Sequence, residues 1–452
     1  MFLFVASIVF CGWMNPWYAV ILLLSIGLNY LLARHMDKGK IIFYISLIMN
    51  IGLLLFLKYY NFFIGTINDV FKTDLVFMKL ILPLGISFYT FSQIGFIYDV
   101  YHKKFEECSL LEYALYVSYF PKLIEGPITL HNDLIPQFRD ENKKNADFKN
   151  ISTGAYRFVL GLTKKVLLAD TFALISQGGY SAVSYMNGLS GIVTVIAYSL
   201  QIYFDFSGYC DMAIGMSKML NIDLIENFNS PYKAESISDF WDRWHISLTK
   251  FFTRYLYIPL GGSRRGRLRT YVNVMIVFLV SGLWHGANYT FILWGALYGI
   301  LMIFERVLRD NSISIKLPRI VKISVTFVVV SVLWSLFGAD SFITFEKLWR
   351  GIFSGYFLEG GINASIILGV EKLAEYSIFN VIIPKGIIGG FEGGFVLFME
   401  FIGLLIAFFF PNAKEKTDRF KPDIVHGMIF VLLLVYCIFS LGNVTTFIYS
   451  NF

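Results

Sequence analysis

Runs of about 20 apolar residues recur from one end of this sequence to the other, each long enough to cross the hydrocarbon core of a bilayer as a helix. They fall at 1–13, 16–34, 40–64, 79–101, 151–175, 189–217, 270–287, 289–306, 321–339, 392–410 and 424–442. A segment in lipid must satisfy its own backbone hydrogen bonds, so helices are expected. A barrel would show short alternating strands, and these runs do not alternate. Only 15% of the 452 residues are charged, against about 25% in a soluble domain, so most of the surface does not face water. The expected fold is all-α: a polytopic integral membrane protein with about 11 transmembrane helices, forming one transmembrane domain over 1–452.

Weaker apolar stretches at 110–128, 232–260 and 363–390 are broken by charge, Pro or Gly. They suit re-entrant or interfacial helices. Irregular backbone at membrane depth needs protein or a water-filled cavity around it, which points to a central funnel. Lys and Arg cluster in the loops 34–40, 102–104, 264–269, 306–322 and 414–421. Placing all of them in the cytoplasm is self-consistent and puts the loops near 65–78, 176–188 and 340–391, and the C-terminus, outside. The net charge of +6 is explained by these loops and does not imply nucleic acid. Cys11, Cys108, Cys210 and Cys437 show no paired spacing, so neither disulfides nor a metal site is expected. The apolar start lacks the basic residues and cleavage site of a signal peptide.

Three stretches carry chemistry. Residues 201–217 place Asp205, Ser207 and Asp211 inside an apolar span. Intramembrane carboxylates face a bundle interior or a cavity, either bracing helices or serving a pathway. Residues 239–262 put Phe240, Trp244, Leu248 and Phe251 at helical spacing opposite Asp239, Asp242, Arg243, Lys250 and Arg254. That pattern reads as an amphipathic interfacial helix with His245 on its apolar edge, either a headgroup-level anchor or a functional group. Residues 279–295 hold His285 between Trp284 and Gly286, with no charged residue from Tyr271 to Phe304. A neutral imidazole can take a proton from a hydroxyl and return it later. The alternative is a packing histidine bonded to a neighbouring helix. Gly282, Gly286 and Ala287 leave room there for a ligand or another helix. Ser87 and Gln93 supply polar groups inside 79–101, and the proline-rich stretch 119–137 reads as bent.

Together these motifs resemble the membrane-bound O-acyltransferase family, and most closely its bacterial branch that O-acetylates alginate and peptidoglycan. The stretches that carry the resemblance are Pro83–Asp99, Phe120–Phe138, Gly161–Asp170, Ser199–Gly215, Phe240–Gly262 and Ser281–Trp294, with Trp244-His245-Ile246-Ser247-Leu248 and Trp284-His285-Gly286-Ala287 the most specific. The resemblance implies a funnel toward the bilayer middle, with His285 as the catalytic histidine and His245 as the second. It implies an acyl donor in the cytoplasm, acetyl-CoA, with no permanently bound cofactor. It also implies an extracytoplasmic SGNH-type partner, a polysaccharide acceptor, and location in the bacterial inner (cytoplasmic) membrane. Ser87, Gln93, Asp205, Ser207, Asp211, Trp244, Trp284 and Asn288 are the substrate-channel candidates. Two departures from the family pattern stand out: the expectation of one more apolar helix ahead of 1–13, and Gly338 where relatives commonly carry Arg.

D-alanyl transfer to teichoic acid from a carrier-protein thioester is the competing reading within the family. A proton-coupled transporter is the competitor of another class. Transporters often show internal repeats, and none is visible here.

Overall fold

A computed structural model describes residues 1–105, 107–313, 316–358, 361–367, 392–441 and 445–447. Among the described residues the chain is helical, with no strand. Six helices are long and apolar enough to cross a membrane: Pro16–Arg34 (α2), Lys40–Phe71 (α3), Gly188–Met219 (α10), Arg267–His285 (α13), Tyr289–Asp310 (α14) and Arg319–Gly338 (α15). Phe2–Gly12 (α1) and two later segments are apolar but shorter. The chain divides into two compact units that interleave along the sequence: 1–154 with 216–225 and 247–260, and 155–215 with 226–246 and 261–452.

In the first unit α2 starts where its chemistry directs. Asn15 accepts a hydrogen bond from the Trp17 N–H and Pro16 takes the first helical position. The next helices share a buried polar network: Ser25 and Asn29 of α2 donate to Gln93 Oε1 at 2.9 and 3.1 Å, and Asn50 of α3 donates to Asn29 at 2.6 Å. In lipid such bonds hold helices together, because the alternative is an unsatisfied polar group in hydrocarbon. The segment expected at 79–101 becomes helical only at Ile86–Tyr101 (α4). Gly85 precedes it at φ +71, and a Cβ there would lie 2.2 Å from the Leu123 carbonyl. Leu110–Ser118 (α5), Phe120–Leu123 (α6) and His131–Arg139 (α7) form the bent stretch. Asp99 on α4 accepts from Arg254 at 2.7 Å and Tyr255 at 2.8 Å, and lies 3.3 Å from the buried His131.

In the second unit the run expected at 151–175 is interrupted. Phe148–Thr163 (α8) passes into a π-helical stretch, Lys164–Ala169, before Asp170–Ser181 (α9). The buried Lys165 and the half-buried Lys164 sit in that bulge, as π-helix often marks a special site. Over 80% of the apolar window of α10 is buried inside the protein, so this span faces protein more than lipid. The amphipathic helix read at 239–262 is broken: Ile237–Arg243 (α11) and Ile246–Phe252 (α12) are separated by Trp244 and His245. His245 adopts φ +44, a left-handed conformation that ends a helix. Trp244 is 1% and His245 0% exposed, so the corner is buried and not a surface anchor. Phe342–Ile352 (α16), Glu392–Phe409 (α17), Ala413–Asp418 (α18) and Ile424–Ser440 (α19) complete the described helices. The weak stretch read at 363–390 lies, from 368 on, outside the described residues.

Helices α13 and α14 form a tight hairpin. A Cβ on Gly282 would lie 2.3 Å from the Phe291 carbonyl, and one on Gly295 would lie 2.3 Å from the Phe278 carbonyl. Gly295→Val should therefore push the helices apart and destabilise the protein by about 1–3 kcal/mol. Thermal unfolding in detergent would check this, and a wild-type midpoint would contradict the packing described.

Candidate active site

His285 is the last residue of α13 and 3% exposed. Asn288 caps α14 by accepting from the Thr290 N–H and donates at 2.6 Å to the Asp340 carbonyl. The turn is thus tied to the end of α15. The His285 ring sits edge-on to Trp294 and to Phe337, each at 5.2 Å between centroids, and 4.9 Å from Trp284. Gly286 does not open space for a ligand: a Cβ there would lie 2.2 Å from the Phe291 ring. Gly282 likewise admits a helix. The small residues serve the hairpin, and the hairpin presents the histidine at its tip.

His245 reaches the same place from the α11–α12 corner. Its ring lies 6.2 Å from the Trp284 ring and 4.8 Å edge-on from Phe206 of α10. Both histidine rings therefore approach one indole. His245 Nδ1 is 3.1 Å from Asn227 Oδ1. Burial pushes the His245 imidazole down to about 3, so it is neutral at physiological pH. Trp244 faces the core instead, packing on Phe240 at 5.6 Å and Trp334 at 4.9 Å.

Asp205, Ser207 and Asp211 are together on α10 but engaged by the segment opposite. Lys165 Nζ sits 2.8 Å from Asp205 and 2.9 Å from Asp170. Asp211 is held by Arg157 at 2.7 Å and Lys164 at 2.6 Å. Arg157 also binds Glu226 at 2.7 Å, and Lys164 donates to Ser207 at 3.3 Å. A small cavity is lined by Arg157, Lys164, Ser207, Asp211, Asn227 and Lys414, among others. Ser87 and Gln93 belong to the first unit, where Gln93 is fully buried in the network with Ser25 and Asn29 and Ser87 is half-buried. The sequence reading missed Arg157, Lys164, Lys165 and Asn227. Its available signal was three cations inside one apolar run, each needing a counter-charge. Gly338 also finds its reason: a Cβ would lie 2.7 Å from the Tyr198 ring and 2.8 Å from the Tyr180 hydroxyl. No group of three or more His, Cys, Asp or Glu suited to hold a metal occurs among the described residues.

The family model for MBOAT, the membrane-bound O-acyltransferase family, matches residues 98–344, which contain both histidines. The peptidoglycan O-acetyltransferase of Helicobacter pylori is 38% identical over 385 residues, covering 78% of this chain and 73% of that protein. A Pseudomonas aeruginosa protein named as a probable alginate O-acetylase is 35% identical over 388 residues, covering 82% and 72%. The teichoic acid D-alanyltransferase of Bacillus subtilis is more distant, 27% identical over 235 residues and 50% of this chain. With a family match over more than half its length and relatives of this identity over most of theirs, the chain belongs to the membrane-bound O-acyltransferase family and is a multi-pass membrane O-acyltransferase.

Proposed function

We propose that this enzyme takes acetyl groups from acetyl-CoA on the cytoplasmic side of the bacterial inner membrane for O-acetylation of a cell-surface or secreted polysaccharide, with an SGNH-type partner completing transfer outside. The observation that carries the reading is the pair of buried histidines, His245 and His285, whose rings lie 6.2 and 4.9 Å from that of Trp284. The names of the relatives at 38% and 35% identity support acetyl over D-alanyl.

In this reading His285 accepts the proton of the acceptor hydroxyl as that oxygen attacks the thioester carbonyl. The new C–O bond forms, the C–S bond breaks, and the imidazolium returns its proton to the leaving thiolate. The C-terminal carbonyls of α13 carry partial negative charge next to the positive charge that develops on the ring. Trp284, Trp294 and Phe337 keep bulk water off it. Base-labile acetate should be released from the surface glycan of cells that express the protein and not from cells that lack it. Release of D-alanine in place of acetate would overturn the acetyl reading.

The donor side follows from Arg264 and Arg265 just before α13 and from Arg267 and Arg269 in its first turn. Nineteen residues of α13 span about 28 Å, so His285 lies one helix length from that basic loop, at the end away from the cytoplasm. A cysteine placed at Ser263 should resist a membrane-impermeant thiol reagent in intact cells and react after permeabilisation. Labelling in intact cells would reverse this topology.

A further inference from the structure

The backbone from Glu226 to Ser230 runs alongside the α11–α12 corner. The Asn227 carbonyl accepts from the Ile246 N–H at 3.0 Å, and the Asn229 N–H donates to the Arg243 carbonyl at 2.9 Å. The Asn227 side chain makes two further contacts. Its Nδ2 donates to Cys210 Sγ at 3.2 Å, which aims Oδ1 at His245 Nδ1, 3.1 Å away. Asn227 and Cys210 are buried at 1% and 2% exposure and His245 at 0%. An amide oxygen only accepts, so the Nδ1 facing it must carry the proton. A neutral imidazole then has a bare Nε2. His245 Nε2 has no hydrogen-bond partner among the described residues, and His245 is held at φ +44, in a region of backbone space that non-glycine residues enter at functional sites. Of the charged groups on the surrounding elements, Asp211 of α10 and Glu226 beside Asn227 are engaged by Arg157, Arg243 of α11 by Asp239 and Asp205 of α10 by Lys165, while Asp242 of α11 and Lys250 of α12 are exposed. Between Tyr271 and Trp284, α13 carries no charge.

We propose that Asn227 is a positioning residue: it fixes His245 in the tautomer protonated at Nδ1 and so presents Nε2 as a bare acceptor nitrogen in the acyl-transfer site. The proposal rests on His245 taking part in transfer. Loss of the orienting partner of a metal-ligating histidine costs about 10- to 100-fold, and a factor of the same order is expected here. Asn227→Ala should lower kcat by about that factor with KM little changed. Asn227→Asp keeps the acceptor and should recover most of the activity. Its carboxylate also favours the imidazolium, so the acid limb of kcat/KM should move to higher pH, which a packing role would not do.

The test measures acetyl transfer from acetyl-CoA by the full-length protein in membranes, for these variants beside His245→Ala. A dead His245→Ala with a wild-type Asn227→Ala, or an Asn227→Asp no better than Asn227→Ala, overturns the positioning role alone. A wild-type His245→Ala overturns the functional reading of His245 beneath it. Because Asn227→Ala can misfold, a second readout uses the native chain. In histidine-15N-labelled protein, the resonance lost in His245→Gln should show a protonated Nδ1 and a bare Nε2. The opposite tautomer rules the proposal out.

Discussion

His285→Ala should abolish surface-glycan acetylation in cells that carry the variant at wild-type abundance, a fall of about 100- to 10,000-fold, the range that general-base catalysis supplies. Three features set that magnitude. The side chain ends a span with no charged residue between Tyr271 and Phe304, so no neighbouring group on the hairpin can replace it as a base. It is 3% exposed, so hydroxide from bulk water does not reach the reacting carbonyl freely. Its place is set by the turn, through the Asn288 bond to Asp340 and the close approach of Gly282 to Phe291, and those contacts do not use the imidazole. The variant should therefore insert and fold. A loss of protein in place of a loss of activity would assign His285 to packing.

The second large effect is on stability. Lys165→Ala should cost about 3–5 kcal/mol, the range for breaking a buried ion pair from one side. The lysine serves two carboxylates, Asp205 at 2.8 Å and Asp170 at 2.9 Å, and all three side chains are nearly inaccessible. Its removal takes the Lys165 ammonium away from two buried acids. Thermal unfolding of the purified protein in detergent would show a large drop. Lys165→Ala combined with Asp205→Asn should recover part of it, since the buried negative charge falls by one. A Lys165→Ala midpoint equal to wild type would mean that the ion-pair network does not hold α10 to the 164–169 bulge.

Much of the helix pattern was legible because its signals are local. The span read at 16–34 coincides with α2, where Asn15 and Pro16 mark the start, and 289–306 begins with α14, where Asn288 caps it. What failed depended on contacts distant in sequence. The start of 79–101 slipped to Ile86 because Gly85 sits against Leu123, some forty positions on. The single amphipathic helix read at 239–262 broke at His245, whose ring meets Asn227, eighteen positions earlier. Asp205 and Asp211 stood out as intramembrane acids, but their partners Lys165 and Arg157 lie 40 and 54 positions away. The identity of His245 and His285 as a pair came from the resemblance, and their convergence on Trp284 from the fold. Neither periodicity nor spacing carries the information that two segments forty residues apart share one indole.

The central claim is that acetyl passes from a cytoplasmic thioester through the site of His285 and His245. Inside-out membrane vesicles expose the cytoplasmic face to added acetyl-CoA carrying a labelled acetyl group. With the wild-type protein, label should become ester-linked to an acceptor hydroxyl protected inside the vesicle. With His285→Ala at equal abundance it should not. Transfer at the wild-type rate by the His285→Ala vesicles would contradict the account.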